Sequence, residues 1–176
     1  MLSAPNSTEN QSMKLNDWIK KVDELSVLLD KLSKITGPTE RTNKYSQQLD
    51  EFLAELESSS LLPREKYEVL KHGMSFNRTI CSHIARHGEA NTTERLFNLI
   101  ELLLKSGITH KEIASLLAME DGNGVTFPLL VASYQNSTNY LRCLTLIQKL
   151  VERVLIVRNY GAMVVFFALI HFSRIA

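Results

Sequence analysis

His83 and His87 stand four residues apart in "NRTICSHIARHGEA", and on a helix that spacing puts both imidazoles on one face, where a zinc ion can bridge them. Zinc needs further protein ligands, and no third ligand of the H-E-x-x-H kind accompanies the pair. The residue types therefore predict that His83 packs or hydrogen-bonds inside its helix pair. His87 is expected at the negative end of the same helix, with no metal bound. Cys81, Ser82 and Cys143 have no orienting base in any recognisable motif, so none reads as a nucleophile. "DGNG", residues 121–124, has the composition of half a calcium loop but lacks the closing Glu and the oxygen ligands between, so it reads as a turn. Neither GxGxxG nor GxxxxGK occurs, which leaves no phosphate-cradling loop. The expectation is a chain with no catalytic residues, no metal and no cofactor.

Charge and composition narrow the partners. The 20 Lys and Arg against 19 Asp and Glu give a net charge of +1, and the basic residues are scattered, whereas nucleic-acid binding needs a concentrated basic face. Two cysteines are too few for a disulfide framework and point to a reducing compartment. The opening "MLSAPNSTENQS" has no basic stretch followed by an apolar one, so residues 1–11 read as a disordered polar tail of a soluble protein, not a signal peptide. "GAMVVFFALIHF" falls short of the roughly 20 apolar residues that cross a bilayer, so a membrane span is not expected.

The elements that would position these residues are helical throughout. From Ser12 to Ile35, Leu15, Trp18, Ile19, Val22, Leu25, Leu28, Leu29 and Leu32 recur at three- and four-residue steps, and Gly37 and Pro38 stop the run. A second amphipathic helix carries Tyr45, Leu49, Phe52, Leu53 and Leu56 and ends at the serines 58–60. Pro63 opens a short third helix that closes near Gly73. Residues 12–73 thus form a hairpin region. Beyond it, Asn91 and Glu94 suggest a cap for a helix through Leu96 and Leu103, Gly107 a C-terminal cap, and Thr109 with Glu112 a capping box.

Residues 74–176 show internal similarity. A shift of 126 − 79 = 47 puts Thr79 on Thr126, Ala85 on Ala132, Phe97 on Leu144, Ile100 on Ile147 and Leu103 on Leu150. Pro128 in "GVTFPLLVAS" then falls in the first turn of an inner helix, where its missing N–H costs nothing.

On these residues the chain resembles a degenerate ankyrin repeat. Asp121, Gly124, Thr126, Pro128, Leu129 and Ala132 match the turn and inner helix in kind, and Leu102, Leu103, Leu104 and Gly107 match the end of the outer helix. Both copies carry one extra residue between Thr and Ala, and the shift of 47 exceeds the ankyrin period of about 33 by the length of Ile108 to Asp121. A short helix in place of the usual hairpin brings the architecture towards three-helix armadillo or HEAT units. The resemblance, over residues 76–155, implies an all-α fold: helical hairpins followed by ankyrin-like or armadillo/HEAT-like repeats, a short α-solenoid. The chain is also similar in kind to secreted effectors of vacuole-dwelling intracellular bacteria, which implies delivery into a host cytoplasm to bind a host protein, although it lacks the Glu-rich C-terminal stretch often seen there.

On that model function lies in a concave face, where Arg78, Arg86 and His87 of one copy stand beside Val125, Ser133 and Tyr134 of the next. Tyr and Arg dominate binding hot spots, so Arg78, Arg86, His87, Tyr134 and Gln135 are the candidate protein-binding residues. The apolar stretch from Gly161 through Phe166, Phe167 and Ile170 is read as a terminal helix and the start of a third copy. It is open to three roles: a core helix under the preceding hairpin, a face covered by a partner or second copy, or the edge of a truncation. The alternative function is a membrane-surface or self-associating protein acting through that helix, with Leu15, Val22 and Leu29 as a dimer seam.

Overall fold

The computed structural model describes residues 7–35, 38–75 and 78–157. They form eight α-helices and no strand; an isolated antiparallel bridge joins Glu120 to Thr126. The apolar stretch from Gly161 onward lies outside the described residues.

Helix α1 spans Ser7–Ile35, so it begins inside the stretch expected to be a tail, ahead of Ser12. Polar residues with no Pro or Gly among them extend a helix that its apolar face already stabilises further on. Helix α2 is Pro38–Ser58, with the proline as its first residue, so Pro38 starts this helix as well as ending the previous one. Helix α3, Pro63–Lys71, also opens on a proline, and the Glu65 side chain accepts the Leu62 backbone N–H at 2.7 Å. Trp18 of α1 meets Phe52 of α2 edge-to-face at 5.7 Å between centroids, and Val22 and Leu29 are fully buried. Val22 and Leu29 of the row expected as a dimer seam are therefore spent inside the molecule, where α1 packs on α2 and α3, while Leu15 is half-buried.

Helices α4 (Ile80–His87) and α5 (Ala90–Lys105) make an antiparallel pair, followed by α6 (His110–Leu117). Thr79 and Ser82 cap α4 reciprocally, the Ser82 N–H donating to Thr79 Oγ1 at 3.2 Å and the Thr79 N–H to Ser82 Oγ at 2.9 Å. Helix α5 is entered through Glu89, which leaves Asn91 inside the helix and not at its cap. Its end is a Schellman motif: Gly107 has φ 99°, Ile108 N–H donates to Leu103 O at 3.1 Å, and Gly107 N–H to Leu104 O at 3.4 Å. Thr109 and Glu112 then form the expected capping box of α6.

Helices α7 (Phe127–Tyr134) and α8 (Ser137–Val157) are the last of the described elements. Pro128 sits in the first turn of α7, and Gly124, φ 73°, turns the chain into it. The bounds keep the sequence offset: 127 − 80, 134 − 87 and 137 − 90 are each 47. The offset also reaches upstream of the expected copies, because 110 − 63 and 105 − 58 are 47 as well. Even a loop bond follows it, Met74 N–H to Arg78 O at 2.6 Å and Asp121 N–H to Val125 O at 3.0 Å.

One hydrophobic cluster runs through all eight helices. Equivalent positions on the long helices fill it: Leu49, Leu96 and Cys143; Phe52, Leu99 and Leu146; Leu56, Leu103 and Leu150. Arginines at the same offset clasp successive helices. Arg95 of α5 reaches Asp50 at 3.0 Å and Glu57 at 2.6 Å on α2, and Arg142 of α8 reaches Asn98 at 2.6 Å and Glu101 at 3.4 Å on α5.

Candidate functional site

The five candidate residues lie on α4, on its leading turn and at the end of α7. Arg86 and His87 form the last turn of α4, and Arg78 precedes the helix by two residues. Tyr134 and Gln135 end α7, which packs along α4. Asp121, contributed by the turn after α6, binds the group together.

The Asp121 carboxylate is almost fully enclosed, its side chain 1% exposed. Arg86 Nη2 donates to it at 3.1 Å, and Arg78 Nε lies 3.9 Å away. The backbone N–H groups of Asn123 and Val125 donate to its other oxygen at 2.9 and 3.0 Å. Burial alone pushes this carboxyl up, yet the two backbone donors and the two guanidiniums together hold it below the usual aspartate value. Asp121 is thus an ionised pin joining α4 to the turn that launches α7. Sequence reading took it as a turn residue only; Arg78 and Arg86 upstream of a lone Asp were the available signal.

Above the pin, the Arg86 guanidinium lies 5.6 Å from the Tyr134 ring centroid, within cation–π range. Tyr134 is 57% exposed and presents the largest solvent-facing ring of the group. Gln135 turns inward, its amide donating to Ala85 O at 3.0 Å and Gly88 O at 3.1 Å. These are carbonyls at the end of α4 that the helix cannot satisfy itself. Asn139 of α8 donates likewise to Ala90 O at 2.9 Å.

His83 and His87 do share a face, with ring centroids 6.3 Å apart, but Tyr45 from α2 packs against both, 4.5 Å from His87 and 6.0 Å from His83. Tyr45 Oη lies 3.3 Å from His83 Nδ1. Burial first, and then the positive charges of Arg78, His87 and Arg86, lower the His83 pKa to about 3, so its ring is neutral at physiological pH. Burial likewise pushes the Tyr45 phenol up to about 12. Among the described residues no three His, Cys, Asp or Glu side chains converge as a metal site. Cys81 and Cys143 are buried free thiols, both pushed up to about 12 by burial. A thiol held protonated is a poor nucleophile.

The arrangement therefore offers a rim of Tyr134, His87 and the exposed parts of two guanidiniums over a polar seam centred on Asp121. No family model, curated protein or solved structure matches the chain.

Proposed function

We propose that the chain is a non-catalytic interaction scaffold, a short α-solenoid whose inner helices α4 and α7 and their leading turns carry the binding face. The observation that supports it is the offset of 47, which recurs in helix bounds, in the turn bond before each inner helix and in the clasp arginines Arg95 and Arg142. A unit that repeats its packing residues frees its rim residues to vary for recognition. On this reading the unit is an inner helix, an outer helix and a short third helix, with α2 and α3 as the last two helices of an earlier copy. Its partner is a protein and, following the resemblance to effectors, a host protein.

Arg78 and Arg86 serve Asp121, Gln135 serves α4 and His87 packs on Tyr45, so Tyr134, the most exposed of the five, is the residue that can be altered with least disturbance of the seam. The test is capture from host-cell extract by the tagged chain, compared with a Tyr134→Ala rim variant and with Leu102→Ala on the outer helix, all shown equally helical by circular dichroism. A partner lost only by the rim variant is the expected result. A partner kept by it moves binding elsewhere, and no partner at all removes the reading. Among the described residues no helix is long and apolar enough to cross a bilayer; the alternative of a membrane-surface or self-associating protein turns on the apolar stretch from Gly161, which lies outside them.

A further inference from the structure

Equivalent positions at the offset of 47 are not equally covered. On α4, Cys81, Ser82 and Ala85 are buried; their counterparts on α7, Pro128, Leu129 and Ala132, are only half-buried. On α5, Phe97 and Ile100 are buried, whereas Leu144 and Ile147 of α8 are half-buried. The difference lies in the helices stacked on each pair. Helices α7 and α8 lie over α4 and α5, with Phe127 edge-on to Phe97 at 5.9 Å, while α7 and α8 themselves pack mainly on preceding helices and on each other. The far side of α7 and α8 is thus an apolar face of Pro128, Leu129, Ala132, Leu144, Ile147 and Val151, without a charged side chain among them.

We propose that the occupant of this face is the chain's own segment 158–176. Two observations favour it over a second copy or a foreign helix. Residues 159–172 carry no Asp, Glu, Lys or Arg, which matches a face that offers no counter-charge and would strand any charge brought to it. The segment is also joined directly to Val157 at the end of α8, so its docking is intramolecular, at an effective concentration of order millimolar for a short tether. A second copy at micromolar concentration competes poorly with that. The covered face closes the stack as a cap closes a repeat array, and leaves the α4–α7 rim as the open surface.

The proposal uses the same offset as the functional reading, and its test separates the two. In the full chain, Leu144 is replaced by a photo-reactive benzoylphenylalanine, and in a second protein Leu102, which is 53% exposed on α5, is replaced in the same way. After irradiation the linked peptides are identified by mass spectrometry. The expected result is a product of monomer mass in which position 144 is joined to residues 158–176, absent from the position-102 protein. A dimer-mass product, or no link from 144 to that segment, overturns the docking and leaves the repeated unit standing on its clasp arginines. To guard against a fold disturbed by the probe, a Leu144→Cys variant is labelled with a maleimide. Adding Phe166→Asp and Phe167→Asp should speed labelling about tenfold, which corresponds to roughly 1.4 kcal/mol of docking. Unchanged labelling overturns the proposal.

Discussion

At the scale of single residues, two buried groups set the response to pH and charge. Asp121 is worth more as a partner than as a polar atom, because its loss leaves Arg86 facing a low-dielectric seam and frees two backbone donors. Asp121→Asn is expected to cost about 2–4 kcal/mol in urea unfolding, against almost nothing for Glu152→Gln on the exposed side of α8. Equal effects would show that the ion pair is no pin. His83 works in the opposite sense. Its folded pKa is lowered from 6.5 to about 3, so between those values the unfolded chain binds the extra proton and stability falls on acidification. The slope is roughly 1.4 kcal/mol per pH unit at most. The lowered carboxylates Glu112 and Asp121 respond only below their ordinary values of 4.5 and 3.8, so the interval from about pH 6.5 to 4.5 isolates His83 from them. His83→Gln, which keeps a polar partner for Tyr45, should flatten the urea midpoint across that interval; a slope that persists assigns it to another group.

At the scale of elements, the chain's punctuation was legible wherever it is local chemistry. Pro63, Pro128, Gly107 and the Thr109–Glu112 box all sit where their types place them, because each acts on the backbone within one turn. Asn91 failed as a cap because Glu89 N–H donates to Ser46 Oγ of α2 at 3.0 Å, a tertiary bond that fixes the entry to α5 earlier than side-chain preference suggests. The offset of 47 could be read from Thr79 and Thr126, but its reach back to α2 and α3 could not, since Tyr45, Thr92 and Asn139 share a buried position without sharing chemistry. Glycine substitutions separate the local causes. Gly107→Ala meets no atom within 4 Å yet must hold a left-handed φ of 99°, and should lose about 1 kcal/mol. Gly73→Ala has the same open space without that φ, and should be neutral or slightly stabilising through the unfolded chain. A thermal melt ranks the pair, and equal losses would mean that the turn at 107 tolerates a side chain.

At the scale of the whole molecule, the question is whether the stacked helices fold as one body or fray from an end. Repeat arrays unfold piecemeal when the interfaces between units are weak relative to the units. Here the contacts between successive helices are continuous: Phe127 on Phe97, Arg95 on Asp50 and Glu57, and Arg142 on Glu101, alongside one apolar cluster that reaches from Trp18 to Leu150. The pattern also explains why the candidate residues were only half legible. Arg78, Arg86 and Gln135 are the types expected at a rim, but here the same types fasten α4 to the turn before α7 and the end of α7 to α4. Side-chain identity does not tell fastening from recognition; the position of Asp121 does. Trp18 is the sole tryptophan and lies on α1, at the opposite end of the stack from α8, so its fluorescence reports one end while circular dichroism reports the whole. Leu146→Ala, which empties a buried site on α8, should cost about 2–4 kcal/mol. If the helices unfold as one body, the Trp18 midpoint in urea falls together with the helical signal and the two curves coincide. A Trp18 transition that stays in place while the helical signal splits would mean that α7 and α8 unfold alone, and that the clasp arginines join successive helices without making them cooperative.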